Sequence, residues 1–194
     1  MPAEVLSGRE VAKSVRAEVG DRVAALAERG KSVGLATLLV GEDAASQVYV
    51  ANKHKAAEVA GMISIDRHLP PTATQSQVEQ AIAELNEDSS VDGMILQLPL
   101  PDGLDGHAAV EAIAPAKDAD GLHPYNLGLV VLEREGPVPA TPQGIMQILD
   151  YYDVETRGKT AVVIGRSFLV GRPMALLLSG RGVDATVVQA HSRT

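Results

Sequence analysis

Between residues 33 and 98 the chain alternates short runs, read as almost wholly apolar, with segments of helical spacing. This alternation leaves few folds open. The runs cover residues 33–40, 63–69 and 91–98, and the helical segments between them cover 46–60 and 75–87. A strand that is apolar on both faces must be covered on both, so helices have to lie above and below a parallel sheet. The predicted class is therefore α/β, built from parallel β-α-β units. A further helix is predicted before the first strand, over 10–29, because Val11, Val15, Val19, Val23 and Leu26 recur on one face and Gly30 ends the pattern.

After Leu98 the pattern loosens into a Pro- and Gly-containing loop, a short helix near 108–113 and a stretch rich in Asp, Gly, Pro and Asn. Thr141-Pro142 then reads as an N-cap followed by Pro at the first helical position, starting a new helix. We place a domain boundary here, giving domains 1–139 and 140–194. The second domain opens with a strand over 160–164, the turn Gly165-Arg166-Ser167-Phe168-Leu169-Val170-Gly171, and a helix entered through Pro173. Its two glycines let the backbone turn sharply and approach a ligand, and unpaired N–H groups at the helix start would face a phosphate. These are the mechanics of a dinucleotide site. After one more strand near 185–188 the chain stops at Thr194, whereas a mononucleotide-binding half needs three parallel strands. The second domain is thus expected to be Rossmann-like and C-terminally incomplete.

Composition narrows the ligands. A net charge of −8 argues against a nucleic-acid or anionic-membrane partner, since either needs a broad basic face. With no Trp, one Phe and four Tyr, aromatic stacking on a ligand has few candidates. Cysteine is absent, which removes disulfides, thiolate metal sites and Cys nucleophiles together. No leader or membrane-length apolar stretch is evident, so a cytoplasmic protein is expected.

Three places carry candidate chemistry. On the helix over 46–60, Tyr49 and Lys53 lie one turn apart on a row that continues into Ala56 and Ala60, and a lysine drawn into such a row is a usable proton donor or acceptor. A snorkelling surface lysine is the plainer alternative. Gln97 is a lone amide at the carboxyl end of an apolar run, where open α/β sheets place ligands, although it could equally cap its own turn. The segment from Lys117 to Asn126 offers Asp118, Asp120, His123 and Tyr125. Asp-x-Asp without further ligands at metal spacing does not call for a metal, and a carboxylate gripping an amino-substituted heterocycle is more economical. Tyr-x-x-x-Lys also occurs in short-chain dehydrogenases, but there it follows the nucleotide turn and here it precedes it by more than a hundred residues.

Taken together, five ordered blocks resemble the bifunctional methylenetetrahydrofolate dehydrogenase/methenyltetrahydrofolate cyclohydrolase family. They are Val40-Gly41-Glu42-Asp43 with Ala45 to Val50 and Asn52-Lys53; Leu96-Gln97-Leu98-Pro99-Leu100-Pro101; Pro115 to Asn126; Thr141-Pro142-Gln143-Gly144; and Ile164-Gly165-Arg166-Ser167 with Val170-Gly171-Arg172-Pro173. The resemblance implies a folate-binding α/β domain, a Rossmann-like domain, an active site in the cleft between them and a homodimer. It implies that Lys53 carries protons, Tyr49 orients the folate, Gln97 hydrogen-bonds Lys53 and Asp120 grips the pterin. The implied reaction is oxidation of 5,10-methylenetetrahydrofolate to the methenyl form with a nicotinamide cofactor, followed by hydrolysis to 10-formyltetrahydrofolate.

Gly165, Arg166, Ser167 and Gly171 would line the cofactor. An NAD site usually has a carboxylate after the second strand, and Gln189-Ala190-His191-Ser192-Arg193 has none. Arg166, Ser192 and Arg193 would instead receive a 2′-phosphate, so NADP is predicted. Two departures stand out: Ala140 where the family commonly has Cys, and Phe168 where the loop often has a smaller or polar residue. No phosphate loop supports a ligase activity. The alternatives are a truncated folate-binding or dimerising module without dehydrogenase activity, and an α/β enzyme of other chemistry.

Overall fold

The computed structural model describes residues 3–194. The chain divides into two compact units: residues 14–119, here the N-terminal unit, and residues 120–194 joined by 3–13, here the C-terminal unit. Helix α1 (Gly8–Glu28) runs through the division. Its expected face is real, with Val11 and Val23 buried and Val15, Val19 and Leu26 half-buried.

The N-terminal unit continues with β1 (Gly34–Val40), α2 (Ala44–Val59), β2 (Ile63–Leu69), α3 (Gln75–Glu87), β3 (Gly93–Leu96) and α4 (Gly106–Glu111). The three strands form one parallel sheet in the order β2-β1-β3. Central β1 is apolar and deeply buried because it has a strand on each side and helices to cover it; Leu38 is only 1% exposed. From α3, Val78, Ala81, Ile82 and Leu85 pack into this core, helped by a capping box in which Thr74 and Gln77 satisfy each other's backbone N–H groups.

Two strand expectations need correction. β2 is not covered on both faces: Asp66, Arg67 and His68 are exposed, as an edge strand allows. β3 spans four residues rather than eight, because only Gly93–Leu96 pair with β1 before the chain leaves through Gln97 and a cis Leu98–Pro99 peptide.

The C-terminal unit contains α5 (Pro124–Val131), α6 (Ala140–Tyr151), β4 (Thr160–Ile164), α7 (Gly171–Ser179) and β5 (Thr186–Ala190). Helix α5 emerges from the stretch rich in Asp, Gly, Pro and Asn, a composition that predicts a loop. Its entry is marked by Pro124 at the first helical position and by His123, whose Nδ1 accepts from the Tyr125 N–H at 3.0 Å. Thr141 is not an N-cap: α6 begins at Ala140 behind Pro139 with no side-chain cap, so Pro142 is in the first turn, where no N–H is required. β4 and β5 pair in parallel, and Met174, Leu178 and Ala185 form the core on one face of the pair with Met146, Leu149, Ala161, Val163 and Val187. The other face carries Val162, Ile164 and Val188, all exposed, with Ile164 at 85%. Behind α6, the Tyr152 hydroxyl accepts from the Ser7 N–H at 2.9 Å and donates to Glu10 at 3.2 Å, fastening the start of the chain to this unit.

Among the described residues no helix is long and apolar enough to cross a membrane.

Candidate active site

Asp43 starts α2 by accepting a hydrogen bond from the Ser46 N–H at 2.8 Å. The Ser46 backbone, then its hydroxyl, hold the Asp43 carboxyl below its ordinary value. The helix that follows presents Tyr49, 64% exposed, and one turn later Lys53, half-buried. Lys53 Nζ donates to Gln97 Oε1 at 3.2 Å.

Gln97 is held at three points. Its backbone N–H donates to Leu38 O at 2.9 Å, which keeps it beside β1 although β3 has ended. Its side-chain Nε2 donates to Leu98 O at 2.8 Å. A carboxamide has one donating and one accepting end, so committing Nε2 to Leu98 leaves Oε1 turned to the lysine. An amine that gives one N–H to Gln97 has its lone pair directed elsewhere, which is the arrangement a proton carrier needs. The structure therefore joins Lys53 to Gln97 within the N-terminal unit, with Tyr49 one helical turn before the lysine. Asp120 belongs to the C-terminal unit, where it is half-buried and its carbonyl accepts from the Ala140 N–H at 3.3 Å.

The nucleotide turn departs from expectation in two respects. Gly165 does adopt a left-handed backbone (φ 131°) as β4 ends, with its N–H donating to Ala190 O at 2.8 Å. Gly171 is required because a Cβ there would lie 2.4 Å from Gly165 O, so the close approach is of the loop to itself. The first N–H groups of α7 are not left unpaired. Ser167 Oγ accepts from Val170 at 3.2 Å and Gly171 at 3.4 Å, Ser167 O accepts from Arg172 at 3.0 Å, and Pro173 has no donor. The serine caps the helix from outside it, a role invisible without the fold of the loop.

Ile164 and Ala190 are register partners, so the Gly165 turn and the His191–Thr194 turn leave the same carboxyl edge of the sheet. Arg166, Ser167, Ser192 and Arg193 are all exposed there. The Arg193 N–H donates to His191 Nδ1 at 3.2 Å, and Thr194 closes the turn back onto His191 O at 2.9 Å.

One constellation was not foreseen. His54, next to Lys53, places Nε2 2.8 Å from Thr37 Oγ1 and 3.3 Å from Asp66 Oδ1, while Nδ1 hydrogen-bonds the Ser64 hydroxyl. These partners come from two strands, and nothing in the local sequence around His54 names them.

Comparison with known proteins identifies the family. Residues 6–120 match the sequence model of the tetrahydrofolate dehydrogenase/cyclohydrolase catalytic domain, and residues 139–194 match that family's NAD(P)-binding domain. The chain belongs to this family. It is thus a member of the bifunctional dehydrogenase/cyclohydrolase enzymes, carrying both a catalytic and an NAD(P)-binding domain. It is similar to the methylenetetrahydrofolate dehydrogenase/cyclohydrolase of Campylobacter jejuni, at 40% identity and a TM-score of 0.94, covering 98% of this chain and 67% of that one. The Trypanosoma brucei enzyme, solved with NADP and an inhibitor, shares 41% identity at a TM-score of 0.94, covering 100% of this chain and 66% of that one. The silkworm (Bombyx mori) dehydrogenase shares 36% at 0.95, covering 100% and 69%. The chain spans about two thirds of the length of these family members.

Proposed function

We propose that the chain acts on one-carbon folates as both dehydrogenase and cyclohydrolase, with Lys53 as proton carrier, Gln97 orienting it, Tyr49 lying along the folate and Asp120 binding the amino-pyrimidinone edge of the pterin. The observation that carries this reading is the Lys53–Gln97 hydrogen bond beside an exposed tyrosine on the same helix face. In the hydrolytic step, water adds to the methenyl carbon and loses a proton to the Lys53 amine. The bond from that carbon to N5 then breaks as N5 receives a proton from Lys53, and the remaining proton leaves to solvent. Gln97 keeps the amine at one height while it gains and loses that proton.

NADP would supply a hydride acceptor for the oxidative step. The residues at the carboxyl edge of β4 and β5 fit it: Arg166, Ser192 and Arg193 are all exposed there, and none of His191, Ser192, Arg193 and Thr194 is a carboxylate. Arg166, Ser192 and Arg193 would hold the 2′-phosphate, with Gly165, Ser167 and Gly171 shaping the turn. The NADP in the Trypanosoma brucei relative supports this choice. Equal or better turnover with NAD would overturn it.

We further read 1–139 as the folate domain and 140–194 as belonging to the NADP domain; the second family match, which begins at residue 139, supports that boundary, although the compact units of the fold divide at residue 120. On the family resemblance we propose a cytoplasmic homodimer, checked by sedimentation of the purified protein and by fractionation of its cells.

The test is absorbance at the methenyltetrahydrofolate band with wild type and Lys53→Met. The substitution removes the proton carrier with little change in volume, so hydrolysis should stop while the fold persists. Retained hydrolysis would remove Lys53 from the mechanism. A second reading is folate binding without dehydrogenase activity. Decay of the methenyl form without its NADP-dependent formation would select it.

A further inference from the structure

We propose that His54 is a positioning residue for Lys53, setting the roll of α2 so that the lysine meets Gln97; this rests on Lys53 being the proton carrier. A helix packed on a parallel sheet ordinarily rests on apolar side chains. Here the contact includes a polar cluster: His54 from α2, Thr37 from β1, and Ser64 and Asp66 from β2. Thr37 is 1% exposed and is the register partner of Asp66, so the cluster lies across two adjacent strands.

The hydrogen-bonding roles follow from the partners. A carboxylate only accepts, so the ring nitrogen facing Asp66, Nε2, carries the proton and points it toward Asp66 and Thr37 Oγ1. In the neutral ring Nδ1 then accepts from the Ser64 hydroxyl. Apolar contacts are non-directional and let a helix roll or slide, whereas a ring tied at both nitrogens to two strands fixes both motions.

Lys53 is the preceding residue on the same helix, so any roll at His54 moves it. The Lys53–Gln97 bond, at 3.2 Å, already lies at the long end of the N–H···O range. A displacement of about 1 Å would break it. β1 is the common reference, since Thr37 receives His54 while the adjacent Leu38 carbonyl receives the Gln97 N–H.

The experiment is steady-state cyclohydrolase kinetics of the full-length protein with His54→Leu, His54→Gln, Thr37→Val and the Thr37→Val/His54→Leu double variant. His54→Leu should lower kcat about tenfold or more, the scale of a small misplacement, with KM changed by less than about twofold. His54→Gln, which keeps a polar group reaching toward Thr37, should restore most of that loss. Thr37→Val should reproduce it, and the double variant should lose no more than either single one. Wild-type kcat in His54→Leu, equal losses in the Leu and Gln variants, or additive losses in the double variant would overturn the proposal. If His54→Leu does not fold, Thr37→Val against His54→Gln decides: loss in the first and retention in the second support it, and any other pattern overturns it. Lys53→Met is measured alongside. If it is inactive while His54→Leu is normal, only the positioning role fails; if it is active, the proton-carrier reading fails and takes the positioning role with it.

Discussion

The two parallel sheets of this chain are written in the same local pattern and end in opposite states. β1 has a strand on each side and is among the most deeply buried segments, whereas among the described residues β4 and β5 pair only with each other and leave Val162, Ile164 and Val188 exposed. An apolar strand run states what the strand can tolerate; whether it is covered depends on how many neighbours the rest of the chain provides. The N-terminal unit provides them, with α3 and the flanking strands closing over Leu38. The C-terminal unit covers one face with α6 and α7 and leaves the second available to water.

The sharpest way to break this contrast is a pair of truncations. Leu38→Ala should destabilise the protein by about 2–5 kcal/mol in chemical denaturation, the usual range for a buried leucine, while Ile164→Ala should change stability by no more than about 0.5 kcal/mol. Comparable losses would mean that the Ile164 face is covered in solution. A smaller effect, confined to the C-terminal unit, is expected of Gly171→Ala: the added Cβ meets Gly165 O at 2.4 Å, and relieving that overlap should cost about 1–3 kcal/mol. NADP binding should weaken while hydrolysis of methenyltetrahydrofolate persists, and simultaneous loss of both would show that the units do not respond separately.

Below that in size, replacing Val162, Ile164 and Val188 by Thr should reduce binding of a hydrophobic fluorescent dye with little shift in Tm. Unchanged dye binding would place the dye elsewhere. The smallest effect belongs to the Asp43 cap of α2. Its folded carboxyl is held below the ordinary 3.8, so the cap's contribution is complete above that value and is lost as pH falls through the lower folded value. Protection of the Ser46 amide, taken relative to its intrinsic exchange rate at each pH, should fall only in that acid range. Loss of protection already above pH 3.8 would contradict the assignment.

Much of this architecture was legible from residues alone, for identifiable reasons. The bounds of β2, α3 and β4 coincide with their predicted runs because turn or cap residues stand at their ends. The pairing at the start of α7 is not legible in the sequence because its cap, Ser167, stands four residues before Gly171 and reaches it only when the loop folds back. Likewise, α5 hid in a loop-like composition although Pro124 marked its entry. Tyr49 and Lys53 could be paired from helical spacing, but Gln97 is forty-four residues further on, and only the resemblance to a family joined it to the lysine. His54 had no such help. Its partners lie ten to seventeen residues away on two strands, and the register that aligns them is a property of the sheet.

The fastening of Ser7 and Glu10 to Tyr152 has a consequence for anyone who exchanges parts of this enzyme. A chimera cut once, near residue 120, would carry Tyr152 with the donated portion and leave its two partners on the recipient. The transferable piece is therefore discontinuous, and a faithful graft takes the opening residues of α1 along with the C-terminal segment, even though more than a hundred positions separate them in the gene.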